Sequence, residues 1–197
     1  MNNILTIPNL LTFMRMALVP VFASLLFYGY FGWALFVFFF AGVSDGVDGF
    51  IARRFNQQSE LGTILDPIAD KLLMTTAFVI LTLPNILPAD NKHFPVAFWV
   101  SAAVIGRDVL IVAVALAIFI MTDFRGFKPS NLGKASTVGQ ILAIGIILFA
   151  AVSPVYSGYY LPTTYFVVTL LAVASGFHYI YHIAKLMKEA EKNAEPR

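Results

Sequence analysis

Residues 44–71 read SDGVDGFIARRFNQQSELGTILDPIADK and carry four aspartates, Asp45, Asp48, Asp66 and Asp70. The chain is apolar on both sides of this stretch, FGWALFVFFFAGV at 31–43 and LLMTTAFVILTL at 72–83. Two apolar runs joined by a short polar link predict two adjacent antiparallel helices. Asp45 and Asp48 are three residues apart and Asp66 and Asp70 four apart, so each pair shares a helix face. Four carboxylates then converge at one end of the two helices.

Working outward, six apolar stretches are long enough to cross a bilayer: Leu10–Tyr28, Trp33–Ala52, Pro67–Leu83, Val96–Met121, Ala135–Val152 and Thr163–Ala184. A backbone in lipid must satisfy its own hydrogen bonds, so these stretches are expected as helices, and the alternation of a membrane β-strand is missing from the sequence. The breaks between them carry turn residues, such as Gly29 to Gly32, Gly126 with Pro129, and Pro154 with Gly158. Composition agrees: of 197 residues 59% are hydrophobic and 12% charged, about half the charge of a soluble domain, and the mean hydropathy is +0.79. The expected fold is all-α, a six-transmembrane-helix bundle with a metal site on its cytoplasmic side. Residues 1–185 are expected to form one membrane domain and 186–197 a charged cytoplasmic tail.

Cysteine is absent, which excludes disulfide and thiolate chemistry, and His93, His178 and His182 are too scattered for a zinc site. Met1 to Thr12 has no basic n-region, so a cleaved signal peptide is not expected. Arg53, Arg54, Lys71, Arg125, Lys128, Lys134 and the basic tail fall at one set of helix ends, with only Lys92 opposite. The positive-inside rule then puts both termini and the aspartate link in the cytoplasm, in an inner (cytoplasmic) membrane. Arg54 and Lys71 read as anchors of that orientation. No feature suggests nucleic acid.

Clustered aspartates at a membrane boundary repel one another and are costly to bury. A divalent cation removes both problems, and all-oxygen ligation suits Mg²⁺ or Mn²⁺, ions that favour substrate phosphates as further ligands. Phosphoryl transfer or a relative of it is the reaction class that follows. Gly46, Gly49 and Gly62 leave room beside the carboxylates, and Arg53 lies near enough along the helix to hold a phosphate oxygen. Asn9 and Thr12 are at a depth suited to a nucleotide contact, and a helix-start role suits them equally.

The spacing D-x₂-D-G-x₂-A-R-x₈-G-x₃-D-x₃-D, filled by Asp45, Asp48, Gly49, Ala52, Arg53, Gly62, Asp66 and Asp70, resembles the motif of the CDP-alcohol phosphatidyltransferase family. The resemblance implies two metal ions held by Asp45, Asp48 and Asp66. Asp70 would complete that site and act as general base, and Gly49, Ala52 and Arg53 would line the pocket for the CDP of CDP-diacylglycerol beside Gly62. It also implies a homodimer among membrane lipid.

Three cations lie in or at the edge of apolar stretches, Arg15, Arg107 and Lys134. A buried cation needs a partner, and together they suggest an anion site for the phosphate of the acceptor, expected to be sn-glycerol-3-phosphate. The opening I-P-N-L-L-T-x-x-R and the run LGTILDPIADK are most similar to the family's phosphatidylglycerophosphate synthases. Arg107-Asp108-Val109 is more similar to its cardiolipin synthases, which use phosphatidylglycerol. A small cation transporter is the alternative from another class, and it predicts paired broken helices near mid-membrane that the sequence lacks.

Overall fold

The computed structural model describes residues 7–55, 60–84, 86, 94–122, 131–153, 155 and 157–194, with side-chain surroundings left undescribed at 7–9, 11, 45–55, 60–64, 115, 117–122 and 186–194. Among the described residues there are six helices and no strand: α1 (Ile7–Phe27), α2 (Phe31–Phe55), α3 (Glu60–Thr82), α4 (Phe98–Thr122), α5 (Asn131–Val152) and α6 (Ser157–Ala194). The chain divides into two compact units. One comprises residues 1–97 and 144–161, the other 98–143 and 162–197.

In the first unit α1 packs against both α2 and α3. The turn from α1 to α2 is built on Gly29, whose φ of 77° lies in the left-handed region. Gly29 N–H donates to Leu26 O at 3.1 Å and Tyr30 N–H to Leu25 O at 2.8 Å. That pair of bonds closes the helix with a Schellman motif, which a glycine at this position permits without steric cost. The core of the unit alternates large and small: Phe22 and Leu26 of α1 against Ala34, Phe38 and Ala41 of α2 and Ala69, Ala77 and Phe78 of α3, all buried. Small residues let helices approach closely, which matters in lipid because the hydrophobic effect does not drive helices together there and close packing must. The Phe22 and Phe38 rings stand 5.9 Å apart.

In the second unit Tyr179 and Ile183 of α6 pack against Leu110, Ile111 and Val114 of α4. α5 and α6 touch at Gly139, where an added Cβ would sit 2.8 Å from Leu171 Cδ1.

Two helices are long and apolar enough to cross a membrane among the described residues, Asn131–Val152 and Ser157–Lys185. Their outward faces are apolar rather than charged: Leu142, Phe149, Phe166, Leu170 and Phe177 are all exposed. A helix that is apolar all round and still exposed suits lipid. α1 and α2 add shorter apolar runs, Thr12–Phe27 and Phe31–Ser44.

Candidate active site

α3 starts at Glu60, so Asp66 and Asp70 lie inside the helix, two turns beyond its first residue. Pro67 sits between them within the helix; its missing N–H leaves a carbonyl of the preceding turn without its helical donor. Asp66 and Asp70 are each met by a side chain of α1. The Thr12 hydroxyl donates to Asp66 Oδ1, and Arg15 Nη1 donates to Asp70 Oδ1 at 3.0 Å. Residue numbers rise together along these two rungs, so α1 and α3 run in the same direction. Thr12 and Arg15, three apart, present one face of α1 to one face of α3.

The two members of the Arg15–Asp70 ion pair differ in exposure. Arg15 keeps 1% of its side-chain surface and Asp70 keeps 39%. Thr12 is buried as well. The carboxylate of Asp70 is thus open to a ligand, while the guanidinium behind it is not.

Asp45, Asp48, Gly49, Ala52 and Arg53 fall on the last turns of α2, and Gly62 on the first turn of α3. Their side-chain surroundings lie outside the described residues, as does the side chain of Asn9. Among the described residues no group of three or more metal-ligating side chains comes together. The donor types in the motif are carboxylates alone, without sulfur or imidazole, and this hard-oxygen set fits Mg²⁺ or Mn²⁺.

Arg107 and Lys134 are in the second unit, where they line one cavity of about 440 Å³ with Ile111, Thr137, Val138 and Tyr179. Arg107 on α4 is buried and ties three helices together. Its Nη1 donates to Asp108 Oδ1 at 2.7 Å, its Nη2 to Gly133 O of α5 at 3.3 Å, and its Nε and Nη2 both to Ser175 Oγ of α6. Lys134 on α5 is exposed. Asp108 and Ser175 are the members of this site that sequence reading passed over as site residues. Asp108 reads from the sequence as a pairing partner for Arg107, and the structure makes that pair, whereas a lone serine in an apolar helix gives no such signal.

His178 and His182 stack on α6 with ring centroids 6.2 Å apart and planes within 9°, a packing contact of successive turns.

The family model for CDP-alcohol phosphatidyltransferases matches residues 5–178. The chain is 33% identical over 193 residues to the cardiolipin synthase (CMP-forming)/mitochondrial hydrolase fusion protein of Schizosaccharomyces pombe, over 90% of this chain and 31% of that one. It is 32% identical over 200 residues to the cardiolipin synthase (CMP-forming) of Homo sapiens, over 93% and 63%. It is 34% identical over 150 residues to the CDP-diacylglycerol–glycerol-3-phosphate 3-phosphatidyltransferase of Salmonella paratyphi A, over 73% and 76%. It therefore spans about a third of the fusion protein and less than two thirds of the human relative. No transporter enters these likenesses. With all eight motif positions filled and the family model spanning α1 into α6, the chain belongs to the CDP-alcohol phosphatidyltransferase family.

Proposed function

We propose that the chain is a six-span membrane enzyme that transfers the phosphatidyl group of CDP-diacylglycerol to the free hydroxyl of phosphatidylglycerol, giving cardiolipin and CMP at the cytoplasmic face. The observation that carries the reaction class is the unbroken aspartate motif on α2 and α3 within a family match from 5 to 178. Asp45, Asp48 and Asp66 would hold Mg²⁺ or Mn²⁺ with Asp70 beside them, and the ions would supply charge stabilisation at the diphosphate.

The chain's own groups account for the rest. Asp70 takes the proton of the acceptor hydroxyl as that oxygen bonds to the β-phosphorus. The bond from this phosphorus to the bridging diphosphate oxygen breaks, and CMP leaves with the electron pair. Arg53 is assigned to the diphosphate and Gly49, Ala52 and Gly62 to the room around the nucleotide.

The acceptor assignment moves from glycerol-3-phosphate to phosphatidylglycerol on the chemistry of the Arg107 cavity. Arg107 is already balanced by Asp108, which leaves Lys134 as the lining cation with no ion pair among the described residues, beside the apolar walls of Ile111 and Val138. One cation and an apolar wall suit the single charge of a phosphodiester lipid better than a soluble dianion. Arg107-Asp108-Val109 and the names of the fission-yeast and human relatives support the same acceptor. Glycerol-3-phosphate is the second reading, favoured by the Salmonella relative and by the opening I-P-N-L-L-T-x-x-R.

The test is CMP release by the purified, folded protein given CDP-diacylglycerol and Mg²⁺ or Mn²⁺. Phosphatidylglycerol, glycerol-3-phosphate, inositol phosphate and serine are offered separately. Release with phosphatidylglycerol is expected. Release with glycerol-3-phosphate alone would select the second reading, and no release with any acceptor would remove the enzyme.

A further inference from the structure

We propose that Thr12 and Arg15 are positioning residues: α1 acts as a brace that fixes the Asp66 and Asp70 carboxylates on α3, and Arg15 is not a ligand for the acceptor phosphate. The sequence alone offers Thr12 to the nucleotide or to a helix start, and Arg15 to the acceptor. Three observations argue otherwise. Arg15 keeps 1% of its side-chain surface, so its guanidinium has almost no area to offer an incoming phosphate. Its Nη1 is 3.0 Å from Asp70 Oδ1, and that carboxylate is the open member of the pair. One turn earlier the same face of α1 repeats the arrangement, with buried Thr12 donating to Asp66.

A carboxylate on a helix turns freely about two side-chain bonds unless something holds it. A donor from a neighbouring helix fixes one oxygen and thereby the direction of the other. Two such donors, spaced to match the two acids on α3, make α1 a template for both. The guanidinium suits this task because its planar fork is always charged and weakly hydrated, so it tolerates burial behind an acid.

The inference rests on reading these aspartates as the transferase's metal site, and the experiment keeps the two apart by measuring Mn²⁺ binding as well as turnover. The full chain is purified with Thr12→Val, Thr12→Ser, Arg15→Met and Arg15→Lys substitutions, each checked for an unchanged elution profile and unfolding temperature. Mn²⁺ is titrated by electron paramagnetic resonance, and CMP release is measured with CDP-diacylglycerol and phosphatidylglycerol. Thr12→Val is expected to weaken Mn²⁺ about tenfold, the lower end for loss of a supporting hydrogen bond at a metal site, with Thr12→Ser close to the parent. Arg15→Met is expected to lower kcat at least about tenfold with the acceptor KM within about twofold, and Arg15→Lys to recover part of kcat. A raised acceptor KM with kcat intact in Arg15→Met would overturn the inference, as would an unchanged Mn²⁺ affinity in Thr12→Val. If the parent binds Mn²⁺ but releases no CMP, the transferase reading fails, and the Mn²⁺ affinities of the Thr12 variants decide the brace by themselves.

Discussion

Arg107 on α4 donates twice to the single hydroxyl of Ser175 on α6, from Nε at 3.2 Å and from Nη2 at 2.8 Å. Asp108 takes Nη1, so the plane of the guanidinium is fixed from two sides. Ser175→Ala removes one side and leaves buried N–H groups without their partner. The expected cost is about 1–3 kcal/mol of stability, seen in thermal unfolding in detergent. The acceptor KM should rise while the CDP-diacylglycerol KM stays unchanged.

Asp70 is assigned the proton of the acceptor hydroxyl, and Asn cannot take it. Asp70→Asn should cut CMP release by about 10²–10⁴-fold, the usual weight of a general base. Mn²⁺ binding should largely survive, since three other aspartates are assigned to the ions. A parallel loss of Mn²⁺ would instead make Asp70 mainly a ligand. Chelation of divalent ions by EDTA should abolish turnover in the parent, and added Mg²⁺ or Mn²⁺ should restore it.

Gly29 closes α1 with φ at 77°. Gly29→Ala should lower stability by about 1–2 kcal/mol, because an L side chain in the left-handed region crowds the following carbonyl. Gly29→Asn should cost less, since asparagine visits that region more readily. Unfolding temperatures of the two variants provide the comparison, with CMP release per folded molecule unchanged in both.

Gly139 and Leu171 leave no room for another carbon between α5 and α6. Because Leu171 Cδ1 is the far end of a flexible side chain, Gly139→Ala should be survivable at about 1 kcal/mol, near the low end of overpacking costs. Leu171→Ala alone should destabilise by opening a space. The double variant should be more stable than the sum of the two predicts, a coupling that a thermodynamic cycle measures directly.

The helices were largely legible because apolar runs of spanning length have few other solutions in lipid. Their ends were less so. Pro67 reads as a helix start, yet α3 begins seven residues earlier at Glu60 and holds the proline in its interior, which helices in lipid tolerate when neighbouring groups satisfy the freed carbonyl. α6 begins at Ser157, before Pro162, and runs on to Ala194, the helix extension that the mixed charges after Lys185 predict beyond the apolar window. Helical hydrogen bonding continues in water where hydropathy stops. In the site, Arg15 announced that it needed a counter-charge but not which one, since Asp70 is 55 residues away and several acids compete along the chain. Thr12 showed only a depth suited to a nucleotide contact or a helix start, and a hydroxyl gives no sign of an acid 54 residues away.

The separation of Arg15 from Asp70 also bears on how the chain is made. α1 and α2 are joined by a tight three-residue turn and can enter a bilayer together as a hairpin. Arg15 would then be committed to its place before Asp70 exists. At about 5–20 residues per second, the 55 residues between them take roughly 3–11 s to synthesise. Through that interval the guanidinium has to remain near the water boundary or in the insertion machinery. The arrival of α3 seals α1 in place, so the order of translation sets the order in which this site is assembled.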